Sequence, residues 1–108
     1  MLILGIETSC DETSAAVVKN GRIVMSNVIA SSLNFHKKFG GIVPEIASRK
    51  QLEAIVQVTQ SAIKQAKITL KDIGLITVTS EPGLPGSLLV GTSFSKAISL
   101  SLNVPLLN

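Results

Sequence analysis

The sequence predicts an α/β lobe whose mixed sheet opens with an antiparallel three-strand meander and continues through two helices and parallel strands. Two observations lead there. An Asn20-Gly21 pair stands between two β-rich runs, and beyond residue 44 two stretches of helical character each lead into a short apolar run. With 108 residues the chain suits one hydrophobic core and excludes two sizeable ones. A composition that is 45% hydrophobic and 16% charged, without a repetitive tract, leaves no segment to disorder or to a linker. Residues 1–108 are therefore read as a single lobe.

The meander comes first. Leu2 to Thr8 and Ser14 to Lys19 are apolar runs joined by the polar stretch Ser9 to Thr13, and a third run extends from Arg22 to Ala30. Asn-Gly between such runs is the strongest short hairpin signal, because a type I′ turn needs positive φ at both central residues. After a loop rich in Ser, Asn, Lys and Gly (Ser31 to Gly41), Pro44 opens a helical pattern reaching about Lys67. Proline loses nothing at a first helical position, and Leu52, Ile55, Val56, Ile63 and Ala66 recur at helical spacing, as expected of an amphipathic helix lying on a sheet. Thr69 with Asp72 resembles a capping box, Leu75 to Thr79 reads as a buried strand, and the Glu81 to Gly86 loop leads into a helix over Ser87 to Leu102. Pro105 to Leu107 starts a further strand. The order β, β, β, α, β, α, β, with right-handed crossovers, is that of actin-like and ribonuclease-H-like lobes. A purely parallel domain would not begin with a hairpin.

Composition also narrows the function. The net charge of +3 comes from ten basic residues scattered along the chain, without the dense clustering of a nucleic-acid face. One cysteine, Cys10, allows no internal disulfide and fits a reducing, cytoplasmic setting. Residues 1–6 carry no basic leader or cleavage site, and the apolar stretch Leu84 to Leu107 is interrupted by Pro85, Lys96, Pro105 and several serines. Neither reads as a signal peptide or a membrane span.

Three segments can carry chemistry. In Glu7 to Ser14, hydroxyls and carboxylates crowd the turn between the first two strands. Such a turn can offer donors to a phosphate while its acids hold a cation or water. A plain polar hairpin turn would use similar residues but needs fewer acids. Ser80 to Ser87 joins a buried strand to a helix and places Gly83 and Gly86 at the bend, as a tight turn or an anion-binding helix start requires. It has neither the Walker ending nor a dinucleotide fingerprint. In the helix beyond, Ser87, Gly91, Ser95 and Ser99 fall four apart, a row of low bulk that lets another helix or a strand come close. The third segment runs from His36 to Arg49. Its lone histidine builds no metal site, and Arg49 and Lys50 near a helix start run against the dipole preference, which suggests an anionic ligand.

The motifs Gly5-Ile-Glu-Thr-Ser-Cys-Asp-Glu-Thr13, His36 with Gly40-Gly-Ile-Val-Pro-Glu-Ile-Ala-Ser-Arg49, and Pro82-Gly-Leu-Pro-Gly-Ser-Leu-Leu-Val-Gly91 closely resemble three successive signatures of one family. This is the bacterial tRNA adenosine threonylcarbamoyltransferase family, TsaD, formerly called glycoproteases. The resemblance covers essentially the whole chain in the right order. Gln51 stands where the family often has histidine, Phe39 replaces a frequent tyrosine, and Glu81 and Pro85 replace small or aliphatic residues.

The resemblance implies two actin-like lobes, of which this chain supplies the N-terminal one. It implies an acyltransferase passing a threonylcarbamoyl group from threonylcarbamoyl-AMP to the N6 amine of the adenosine next to the tRNA anticodon. Asp11 and Glu12 are the candidate catalytic acids. Ser9, Thr13, Gly83, Gly86 and Ser87 are candidate substrate-binding residues, and Lys37, Lys38, Arg49 and Lys50 candidate tRNA contacts. The divalent metal, iron or zinc, and the main nucleotide-binding loops are expected outside this chain, so that the lobe alone should be inactive. Expected partners are tRNA, a TsaB-type paralog engaged through helices of the N-terminal lobe, and a TsaE-type ATPase in the wider complex. A homodimer is a further possibility, with the row on the second helix as a place for a facing helix, unless that row faces the lobe's own sheet. The rival readings are the non-catalytic dimerising paralog and an actin-like kinase or ATPase lobe. A protease has no support, since neither a nucleophile triad nor a His-Glu-x-x-His helix is present.

Overall fold

The computed structural model describes residues 1–10, 12–31 and 44–108. Strands β1 (Leu2–Glu7), β2 (Glu12–Lys19) and β3 (Ile23–Ser31) precede helix α1 (Pro44–Gln65). A 3-10 turn (Leu70–Asp72), strand β4 (Ile73–Val78), helix α2 (Pro85–Leu102) and strand β5 (Leu106–Leu107) complete the chain. The five strands form one sheet in the order β3-β2-β1-β4-β5. β1 pairs antiparallel with β2 and parallel with β4, β2 pairs antiparallel with β3, and β4 pairs parallel with β5. This is the mixed sheet expected of an actin-like or ribonuclease-H-like lobe.

The local signals explain most of the boundaries. Asn20 and Gly21 have φ of 56° and 68°, and the Arg22 amide donates to the Lys19 carbonyl across a two-residue turn. Thr69 donates its amide to the Asp72 carboxylate over 2.8 Å, the reach-back half of the expected box. Both long helices stop on a left-handed residue, Lys67 (φ 59°) and Asn103 (φ 57°), and the following amides, of Ile68 and Val104, return to Ile63 and Ser99. Helix α2 begins at Pro85 rather than at Ser87, because a proline's fixed φ and missing N–H suit a first helical position.

Both helices lie on one face of the sheet. Leu4, Ile6, Ala15, Val17, Ile76 and Val78 point into the core from the strands, and Ile55, Val58, Ala62 and Ala66 meet them from α1. The Ser26 hydroxyl ties β3 to α1 by donating to the Ala62 carbonyl over 2.7 Å. Two expected core positions are corrected here. Leu52 is 66% and Val56 48% exposed, so α1 carries a second, outward apolar stripe beside its buried one. A helix of this length needs only one stripe to cover the sheet, and the inner one already includes Ile55, Val58 and Ala62.

Candidate functional site

The β1–β2 turn and the β4–α2 loop meet above the sheet. The Leu84 amide donates to the Ser9 carbonyl over 2.8 Å, and the Ser87 hydroxyl to the Cys10 carbonyl over 3.2 Å. A Cβ added at Gly83 would stand 2.5 Å from the Ser9 carbonyl oxygen, closer than any real contact, so the two loops approach each other only because residue 83 has no side chain.

Thr8 anchors the turn to α2. Its hydroxyl, fully buried, donates to the Ser87 carbonyl and accepts from the Gly91 amide. From the other side Gln51, on α1, donates its Nε2 to the carbonyls of Thr8, Cys10 and Glu12 at 2.9, 3.1 and 2.8 Å. The turn that carries the candidate acids is thus fixed from two helices.

Glu7 closes the end of β1. It accepts from the Ser9 amide over 2.6 Å and from the Thr79 hydroxyl, joining the β1–β2 turn to the end of β4. Partial burial pushes its carboxyl up, but the bonds from Ser9 and Thr79 outweigh that and hold it below the ordinary carboxylate value. It borders a hollow of about 320 Å3 on the face of the sheet opposite α1 and α2, lined also by Gly5, Ser14, Ala16, Thr77 and Thr79.

Ser9 and Gly83 lie in the two joined loops, Gly86 and Ser87 in the first turn of α2, and Glu12, exposed, begins β2 beside them. Thr13 and Ser87 are buried at 2% and 0% exposure, so they reach a ligand only through the backbone they hold. Arg49 is exposed, and Lys50, partly exposed, pairs with Glu53 at 3.5 Å. Asp11, Lys37 and Lys38 lie outside the described residues, as does His36. Among the described residues no three His, Cys, Asp or Glu side chains converge on a metal position.

One expectation about partners is corrected. Ser87, Gly91 and Ser95 are buried within the lobe, so the small-residue row does not receive a foreign helix. A Cβ at Gly91 would lie 2.4 Å from the Thr8 hydroxyl, and it is this close seating of α2 over the end of β1 that the low bulk permits. Exposed apolar residues of the two helices include Leu52, Val56 and Leu89, beside two adjoining hollows of about 580 and 500 Å3 that share Val56 and Phe94.

Sequence reasoning passed over Thr8 and Glu7 as individual residues and noted Gln51 only as a departure from a pattern. Their roles depend on partners 39 to 83 positions away, apart from the Glu7–Ser9 bond, and no local signal gives those partners.

The sequence profile described as TsaD, tRNA N6-adenosine threonylcarbamoyltransferase, matches residues 23–108. The chain is 61% identical over 105 residues to the tRNA N6-adenosine threonylcarbamoyltransferase of Clostridium kluyveri, covering 97% of this chain and 31% of that protein. The Bacillus subtilis protein of the same description is 55% identical over 106 residues, covering 98% of this chain and 31% of the relative. Among solved structures, YeaZ from Pseudomonas aeruginosa superposes with a TM-score of 0.73 at 15% identity, over 98% of this chain and 41% of that one, a likeness of fold. The chain spans about a third of the length of its curated relatives. It belongs to the tRNA N6-adenosine threonylcarbamoyltransferase family.

Proposed function

We propose that the chain is the N-terminal lobe of an acyltransferase that moves a threonylcarbamoyl group from threonylcarbamoyl-AMP to the N6 amine of the adenosine next to the tRNA anticodon. The observation that carries this reading is the β1–β2 turn, where a family signature with adjacent acids is fixed from α1 by Gln51, from α2 by Ser87 and from the residue before α2 by Leu84. Such fixing suits a group that must meet a reacting atom in one geometry.

In the transfer, the N6 nitrogen attacks the carbamoyl carbon, the new C–N bond forms, and the bond from that carbon to the phosphate oxygen breaks, releasing AMP. The amine also loses a proton. An adenine amine is a weak nucleophile, and a carboxylate beside it, Glu12 or Asp11, orients it or takes that proton. Gly83, in the β4–α2 loop, and Gly86, in the first turn of α2, shape the cleft beside the turn. A divalent metal, iron or zinc, would supply polarisation of the donor carbonyl if bound, and its ligands would come from residues outside this chain, since no ligand cluster forms among the described residues. Arg49 and Lys50, with Lys37 and Lys38, supply charge for tRNA phosphates.

The lobe is cytoplasmic in this reading and pairs with a TsaB-type paralog. The surface for that pairing is the outward stripe of Leu52, Val56 and Leu89, whose apolar area lies on two adjacent helices. The likeness of fold to YeaZ, a TsaB-type protein, supports a pairing of similar lobes. No helix among the described residues is long and apolar enough to cross a membrane.

The test is incubation of the full-length protein with tRNA, threonylcarbamoyl-AMP and a divalent metal. Formation of the modified adenosine supports the reading, and its absence sinks it. The kinase or ATPase alternative predicts nucleotide turnover with sugar or acetate acceptors.

A further inference from the structure

Gln51 is 1% exposed, and its Nε2 lies within 3.1 Å of three carbonyl oxygens, those of Thr8, Cys10 and Glu12. In an extended strand the oxygens of residues two apart stand about 6.6 Å apart, at about 3.3 Å of rise per residue. Three of them can share one nitrogen at this range only if the chain curls around it. The amide nitrogen is therefore the centre about which the turn is wound.

The chemistry of the side chain agrees. A primary amide has two N–H donors, so three carbonyls oversubscribe it, and without it their negative ends would face one another with nothing between them. Its own Oε1 is buried and has no hydrogen-bond partner among the described residues. A leucine or methionine would fill the same space without burying an unpaired oxygen. The amide is thus placed for its nitrogen. The Ser9 amide, between two of the inward carbonyls, turns instead to the Glu7 carboxylate. Glu12, whose carbonyl is the last one held, leaves its own side chain exposed.

We propose that Gln51 is a positioning residue of the transfer site, which sets the curl of the β1–β2 turn and through it the reach of the Glu12 carboxylate; this rests on the transfer reading of that turn. Gln51 touches no reacting atom. Its influence passes through the backbone it holds.

The test compares full-length wild type with Gln51→Met, which keeps the volume and removes both donors, and Gln51→His, whose neutral ring restores one N–H. Gln51→Met should lower kcat on the order of tenfold to a hundredfold, the range expected when a reacting group is displaced by about 1 Å, while KM for tRNA stays within about twofold. Gln51→His should recover a large part of the loss. A Gln51→Met kcat within about twofold of wild type, after correction for the folded fraction, overturns the proposal, as does a histidine variant no better than the methionine one. Hydrogen-bond scalar couplings from the Gln51 side-chain nitrogen to the carbonyl carbons of residues 8, 10 and 12 provide a second arm. Their absence in wild type overturns the clamp itself, whereas a wild type that shows them but makes no product overturns the transfer reading and the role built on it.

Discussion

The Thr8 hydroxyl stands between the Ser87 carbonyl and the Gly91 amide, donating to the first over 2.7 Å and accepting from the second over 3.1 Å. An uninterrupted α-helix would pair those two groups with each other. A side chain from the end of β1 is thus spliced into the ladder of α2, and the fold and the site share one joint.

The first prediction tests that joint. Gly91→Ala should destabilise the lobe by about 2 kcal/mol, in the range of overpacking, because the new methyl would enter the space of the Thr8 hydroxyl. Thr8→Val, which keeps the shape, should cost about 1–3 kcal/mol by leaving buried polar groups unpaired. Urea denaturation measures both. A Gly91→Ala variant as stable as wild type would show that α2 can move away from β1 at no cost.

The second prediction concerns pH. Glu7 is held below its ordinary carboxyl value of 4.5, so its contribution to stability is present above that pH and is lost as the pH falls through the lower folded value. Glu7→Gln should therefore flatten part of the decline in Tm as the pH falls below 4.5. Superimposable acid limbs for wild type and variant would remove Glu7 from the explanation.

Much of this architecture was legible in the sequence, for physical reasons that differ by element. Asn20-Gly21 is a local constraint, and it produced the hairpin. The spacing in α1 announced a helix, but two apolar stripes fit that spacing, and only the sheet's position decides that Ile55 turns in while Leu52 turns out. The small-residue row of α2 signalled close approach without naming the neighbour, which is Thr8 of the same lobe. Gln51 was invisible as a clamp because a glutamine bonded to backbone carbonyls about 40 positions away leaves no pattern.

A third prediction follows from the outward stripe. Leu52→Asp and Leu89→Asp should leave the fold intact, since both side chains are mostly exposed at 66% and 64%, and should weaken binding of the TsaB-type paralog by about tenfold or more if they lie at the centre of the interface. Analytical ultracentrifugation with circular dichroism separates loss of binding from loss of structure. Unchanged association in both variants would place the interface elsewhere on the lobe.

A fourth prediction separates chemistry from stability at the exposed acid. Glu12→Ala should leave Tm within a few degrees, as exposed substitutions shift stability by about 0.5 kcal/mol, and should lower turnover of the full-length protein. Parallel losses of stability and turnover would make Glu12 a structural residue of β2.

The most direct measurement of the central claim is mass spectrometry of nucleosides from tRNA incubated with threonylcarbamoyl-AMP, a divalent metal and either the full-length protein or the 108-residue lobe. The expected result is threonylcarbamoyl-modified adenosine with full-length wild type, much less with folded Asp11→Ala and Glu12→Ala, and none with the lobe alone. No product from the full-length protein, or product from the lobe above the blank, would contradict it.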